Sequence, residues 1–175
     1  MAGGTLWLAG MMGAGKSALA EALSARLGLP RVDLDQQVEA AAGRTIAELF
    51  AGEGEAGFRR RERAAIEAVA GRRAVVALGG GAPAQPGVAE RLLASGTLVY
   101  LRARPETLAA RLGDAAARPL LAGLDAAGRL AEIRRLLAER EAAYLRAHIV
   151  IDTDDRDVAA TAAELERQLA LAGAA

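Results

Sequence analysis

The residues Gly10-Met11-Met12-Gly13-Ala14-Gly15-Lys16-Ser17 carry the plainest chemistry in the chain. They fit G-x-x-x-x-G-K-[ST] in full, the pattern of a loop that wraps phosphates in backbone N–H groups. Lys16 is the only lysine, although Lys and Arg together number 22. A compact ammonium on a flexible stem reaches β- and γ-phosphates where arginine's wide planar fork does not fit. Gly13, Ala14, Gly15 and Lys16 would cradle ATP phosphates, and Ser17 would offer its hydroxyl to Mg²⁺. A second candidate pair is Asp33 and Asp35, in the run D-L-D. On an extended segment residues two apart point the same way, so one carboxylate could serve Mg²⁺ and the other a substrate hydroxyl.

Such a loop needs a strand before it and a helix after it. Thr5 to Ala9 is a short apolar run that reads as a buried strand. From Gly15 to Leu27, leucines at 19, 23 and 27 recur at helical spacing. Further strands are expected at 31–33, 74–78, 97–101 and 148–151, the third of these five ending in Gly79-Gly80-Gly81 rather than in an acid. Helices are expected at 36–42, at 55–70, from 88 to 94, from Pro105 to about Leu112, at 130–147 and at 157–171. Thr45 with Glu48 fits a capping box that starts a short helix. Gly113 to Gly128 lacks periodicity and reads as a loop of lid or binding type. Alternating strands and helices predict an α/β fold with a parallel sheet and helices on both faces.

Net charge is zero, so no broad basic field advertises nucleic acid or anionic membrane. With no cysteine, thiol and zinc-thiolate chemistry are excluded. No run approaches the roughly 18 apolar residues of a membrane span, and the first residues lack a signal-peptide pattern. The expectation is a cytoplasmic, single-domain protein over residues 1–175.

The chain resembles the shikimate kinases. The marks that carry the resemblance are GMMGAGKS, the DLD at 33–35 and GRTIAELFAGEGEAGFRRRE around Arg59. They continue with LGGGA at 78–82, ARPLL at 117–121, and the R-x-x-x-Y of Arg140 and Tyr144. They run from about Leu6 to Asp154. The resemblance implies a three-layer α/β/α P-loop kinase fold, a five-stranded parallel sheet of order 2-3-1-4-5, and a mobile lid at about 112–125. It implies transfer of the γ-phosphate of ATP to the 3-hydroxyl of shikimate by a monomer, with Mg²⁺. The implied substrate region is about 33–62.

By that resemblance Lys16 binds phosphate, and Ser17 holds Mg²⁺ with Asp33 acting through the metal's water. Asp35 is the candidate base or orienter. Arg59 and Arg140 hold the shikimate carboxylate, and Gly79, Gly80 and Gly81 face the substrate. Arg118 in the lid reaches the transferring phosphoryl group, while Arg111 and Arg156 lie by the adenine. The chemistry is consistent: two arginines suit a planar carboxylate, and a carboxylate can accept the hydroxyl's proton. Ala18 is a departure, since the family usually has threonine there; the missing hydroxyl removes about 1 kcal/mol of nucleotide binding.

Other readings fare worse. A gluconate or nucleoside monophosphate kinase fits poorly with the three glycines and the single arginine before Pro119. A non-catalytic relative has only Ala18 in its favour. A GTPase would need N-K-x-D, which is absent.

Overall fold

The computed structural model describes residues 4–113 and 119–173. Five strands, β1 (Thr5–Ala9), β2 (Arg31–Asp33), β3 (Val75–Ala77), β4 (Gly96–Arg102) and β5 (Ile149–Asp152), form one sheet in the order β2-β3-β1-β4-β5. Every pairing is parallel. All five residues of β1 and all three of β3 are buried. Continuous apolar runs are what a sheet covered on both faces requires. From β1 the chain runs one way to β2 and β3 and then the other way to β4 and β5, the reversal that right-handed crossovers in a parallel sheet turn into helices on opposite faces.

The helices described are α1 (Lys16–Leu27), α2 (Leu34–Ala42), α3 (Ile46–Val69), α4 (Val88–Ser95), α5 (Pro105–Leu112), α6 (Ala126–Tyr144) and α7 (Val158–Gly173), with a single 3-10 turn at Pro119–Leu121. The main core gathers β1, β3 and β4 with Leu19, Leu23, Ile133 and Leu165 from the helices. Trp7 is fully buried there, its indole N–H donating to Ser95 Oγ at 3.2 Å. A second, smaller cluster of Val38, Leu49 and Phe58 joins α2 to α3. Strand order reverses at β1, which puts a crevice at the carboxyl ends of β1 and its neighbours.

Three expectations need correction. α2 begins at Leu34, not Gln36, because Asp33 caps it, accepting from the backbone N–H of Asp35 (3.1 Å) and Gln36 (3.4 Å). Asp35 therefore stands in a helical first turn, and the period-two argument for the D-L-D pair does not apply. α6 begins at Ala126 and ends at Tyr144, not 130–147, since the Asp125 side chain caps it through Gly128 N–H at 2.7 Å. The loop expected to reach Gly128 is correspondingly shorter. The two helices expected around residues 45–70 run together as α3 with a break at Gly54 (φ 67°, ψ −179°), and the Thr45/Glu48 capping box is present at its start.

Candidate active site

The phosphate loop leaves β1 at its carboxyl end and enters α1. Gly13 (φ 81°) and Gly15 (φ 90°) take the left-handed conformation, which glycine adopts without steric penalty. The Lys16 ammonium donates to the carbonyls of Gly10 (2.8 Å) and Met11 (2.9 Å). The Ser17 hydroxyl donates to Asp33 Oδ2 at 2.8 Å. That pair is a hard-oxygen donor set of the kind Mg²⁺ accepts, and Mg²⁺ commonly completes its shell with water and substrate phosphate. Among the described residues no three His, Cys, Asp or Glu gather as a metal cluster. Ala18 also faces the cleft, from the first turn of α1.

From this loop a cleft of about 940 Å³ runs toward α2 and α3. Asp33, Asp35, Arg59, Gly79, Gly80, Gly81, Arg111 and Arg140 all line it. The glycine run permits side-chain approach as much as ligand approach. A Cβ on Gly79 would sit 2.2 Å from Glu62 Oε1 and 3.0 Å from Asp35 Oδ1, and one on Gly81 would sit 2.5 Å from Arg59 Nη2.

The two arginines differ in charge balance. Arg59 Nη1 pairs with Glu62 Oε2 at 2.8 Å and Nη2 with Glu55 Oε1 at 3.1 Å. Arg140 is 9% exposed, and its Nη1 lies 3.9 Å from Met11 Sδ. Among the described residues no carboxylate forms an ion pair with Arg140. Tyr144 supports that wall: its hydroxyl donates to the Gly80 carbonyl, and its ring stacks on Tyr100 at 4.9 Å. Burial pushes the Tyr144 hydroxyl up to about 12, despite the nearby Arg140.

Glu62 was not assigned a role from sequence. It is 1% exposed, and its Oε1 has no hydrogen-bond partner among the described residues, while Oε2 accepts from Arg59 and from Gln85 Nε2 at 2.6 Å. Burial raises its carboxyl above the ordinary range; Arg59 opposes this and the Asp35 charge adds to it. The usable signal was spacing, because residue 62 shares a helix face with Arg59 and with buried Ile66. Phe50 and Phe58 add an apolar patch to the cleft, their ring centroids 4.9 Å apart.

Arg111 is held by Thr153, donating to its Oγ1 at 3.0 Å and to its carbonyl. Arg156 does not join the cleft lining; it turns to Glu164 of α7 at 3.9 Å. Arg118 lies outside the described residues.

A phosphate loop at the switch point of a parallel sheet, opening on an arginine-lined acceptor cleft, defines a P-loop phosphotransferase acting on a small anionic acceptor. The family model for shikimate kinase matches residues 12–170. A shikimate kinase of Symbiobacterium thermophilum is 46% identical over 166 residues, 93% of this chain and 94% of that protein. The solved shikimate kinase of Acinetobacter baumannii, in complex with shikimate, superimposes with a TM-score of 0.87 at 35% identity, over 97% of this chain and 94% of that one. That of Bacteroides thetaiotaomicron gives 0.89 at 33%, over 94% and 97%. The chain belongs to the shikimate kinase family, and it is an ATP-dependent kinase.

Proposed function

We propose that this cleft moves the γ-phosphate of ATP onto the 3-hydroxyl of shikimate, the step its family performs in aromatic amino acid biosynthesis, with the following division of labour. The observation that carries it is the juxtaposition in one cleft of Lys16 and Ser17 with Asp35, Arg59 and Arg140. Phosphoryl transfer asks mainly for positioning and charge neutralisation. Gly13 to Ser17 present backbone N–H groups to the phosphates at the positive end of α1. The Lys16 ammonium exchanges its loop carbonyls for β- and γ-phosphate oxygens. Ser17 and Asp33 hold Mg²⁺, which neutralises phosphate charge when bound.

On the acceptor side Arg140 takes the shikimate carboxylate, with Arg59 beside it. Asp35, by Gly79, orients the attacking hydroxyl and accepts its proton. Arg111, braced by Thr153, flanks the adenine. Arg118 completes the charge on the transferring group from a lid of about 112–125 that excludes water. We read the chain as one P-loop kinase domain that works as a cytoplasmic monomer. Among the described residues, no helix is long and apolar enough to cross a membrane.

The test is ADP release from Mg-ATP with shikimate, gluconate, AMP or CMP, beside a no-acceptor control. Strong stimulation by shikimate alone is the expected result. ATP binding with no stimulation by shikimate would overturn the acceptor assignment and leave the nucleotide site standing.

A further inference from the structure

Helix α3 supplies both halves of the acceptor wall. Ile46, Ala47 and Phe50 precede the break at Gly54, and Phe58, Arg59 and Glu62 follow it. The angle at Gly54 therefore sets how far apart those two sets of side chains stand. The half before the break is seated on the small Val38–Leu49–Phe58 cluster rather than on the sheet core, with Ala65 bordering both. A segment with its own small cluster is bound less firmly than one locked into the main core.

We propose that Glu53 is a positioning residue: by clamping Arg44 and Arg61 at once, it fixes the angle of α3 at Gly54 and thereby the width of the acceptor side of the cleft. Glu53 is the last residue before the break. Its Oε1 accepts from Arg44 Nη2 at 2.6 Å and from Arg61 Nη2 at 2.8 Å, and its Oε2 accepts from Arg61 Nε at 3.0 Å. Arg44 lies just ahead of the Thr45 cap, so one carboxylate ties the start and end of the first half to the second half. Residues eight apart in an unbroken helix stand about 12 Å apart along its axis. The two-pronged Glu53–Arg61 contact thus belongs to the broken form.

Gly57 is the other part of the device. It is buried, and a Cβ there would lie 2.4 Å from the Cβ of Glu53. The carboxylate reaches Arg61 because residue 57 has no side chain. Isolated exposed pairs contribute little, but a bidentate arginine within a three-member network is the geometry in which such pairs count.

The inference rests on the shikimate reading for its kinetic arm and stands alone for its structural arm. Arg61→Ala and Glu53→Gln are expected to raise KM for shikimate about threefold to tenfold. Both should leave kcat and KM for ATP within about twofold, the signature of lost acceptor binding rather than lost chemistry. Gly57→Ala should act in the same direction, because its methyl forces Glu53 off its seat. Amide hydrogen exchange over residues 46–53 of the ligand-free protein should quicken in Arg61→Ala, with exchange in β1 and β4 unchanged. Unaltered exchange over 46–53 overturns the clamp whatever the kinetics. A wild-type protein that ignores shikimate, with faster exchange in Arg61→Ala, removes the acceptor assignment and keeps the hinge. Wild-type turnover with an unchanged KM for shikimate in all three variants overturns the proposal.

Discussion

Arg140 and Arg59 are separated most sharply by cutting each back to alanine. Both line one cleft, and both are assigned to one carboxylate, but only Arg59 arrives with its charge already matched. Glu62 at 2.8 Å, with a 1% exposed side chain, holds it in the ligand-free protein. A substrate carboxylate gains less from a cation that already has a partner than from Arg140, which has no acid partner among the described residues. Two hydrogen bonds to a charged group contribute a net of about 1.5–3 kcal/mol each, so roughly 3 kcal/mol for the pair at the low end. At 1.4 kcal/mol per tenfold, Arg140→Ala should raise KM for shikimate about 10²-fold and Arg59→Ala by less.

Stability should rank the other way. Removing one member of a buried ion pair costs about 3–5 kcal/mol, and the low end applies here because Gln85 still donates to Glu62. For a chain of this size 1 kcal/mol moves the melting temperature by about 2–4 °C, so Arg59→Ala should melt about 6–12 °C lower. Arg140→Ala leaves no buried acid behind; it loses the packing of its stem and sheds an unbalanced cation, two opposed effects that nearly cancel. Initial rates over a shikimate and ATP grid, with scanning calorimetry on the same preparations, read both rankings. Equal weakening of ATP and shikimate by Arg140→Ala, or a larger melting drop for Arg140→Ala than for Arg59→Ala, refutes the charge-balance reasoning.

Lys16→Met should abolish turnover, by 10³-fold or more at roughly 4 kcal/mol of lost phosphate stabilisation, with far-UV circular dichroism unchanged; near-normal activity would remove Lys16 from the phosphate site. Gly79→Ala should cost about 10²-fold in kcat/KM because the new methyl must displace Glu62 and Asp35, and a fully active variant would show that neither position matters. Glu62 titrates above its ordinary value in the folded state, chiefly through burial. Between the unfolded and the folded value the folded state therefore keeps a proton there that the unfolded chain has lost; this contribution is full below the unfolded value and fades as pH rises through the folded one, above which Glu62 carries the charge that faces Arg59. The melting difference between wild type and Glu62→Gln should shift in favour of wild type as pH falls from neutral toward 4; a difference independent of pH counts against the raised carboxyl.

What the sequence made legible was what short-range physics determines. Three strands are apolar runs closed by glycine or an acid, and the phosphate loop is a contiguous pattern whose flanking strand and helix can be checked residue by residue. Asp33 lines the cleft, and because it also caps α2 it puts Asp35 in a helix rather than a strand. Glu62 was hidden inside RRRER, where four of five residues carry positive charge and composition reads as a solvated face. Which residue of such a run turns inward depends on the α3 break at Gly54 and on the distant Gly79, which leaves space for the carboxylate. Arg156, which the resemblance puts by the adenine, stands 3.9 Å from Glu164 of α7, a neighbour distant enough in sequence that no local pattern announces it.

The zero net charge, useful for setting aside nucleic acid, says nothing about the cleft, because the balance there is local. Lys16, Arg59, Arg111 and Arg140 line it together with Asp33, Asp35, Glu39 and Glu62. Three of the four acids have structural work: Asp33 caps α2 and receives Ser17, Glu39 Oε1 accepts from the Ile46 N–H at 2.9 Å, and Glu62 matches Arg59. Lys16 is turned to carbonyls and Arg140 to a thioether, a hydroxyl-bearing ring and glycine backbone. A cleft with equal numbers of both signs can still receive an anionic acceptor, because three of its four acids are bonded to the scaffold while Arg140 faces neutral groups that can give way to a carboxylate. Reversing that allocation, by giving Arg140 an acid of its own, would leave the net charge of the cleft lower by one and close the acceptor side to shikimate far more than a unit of charge elsewhere on the surface could.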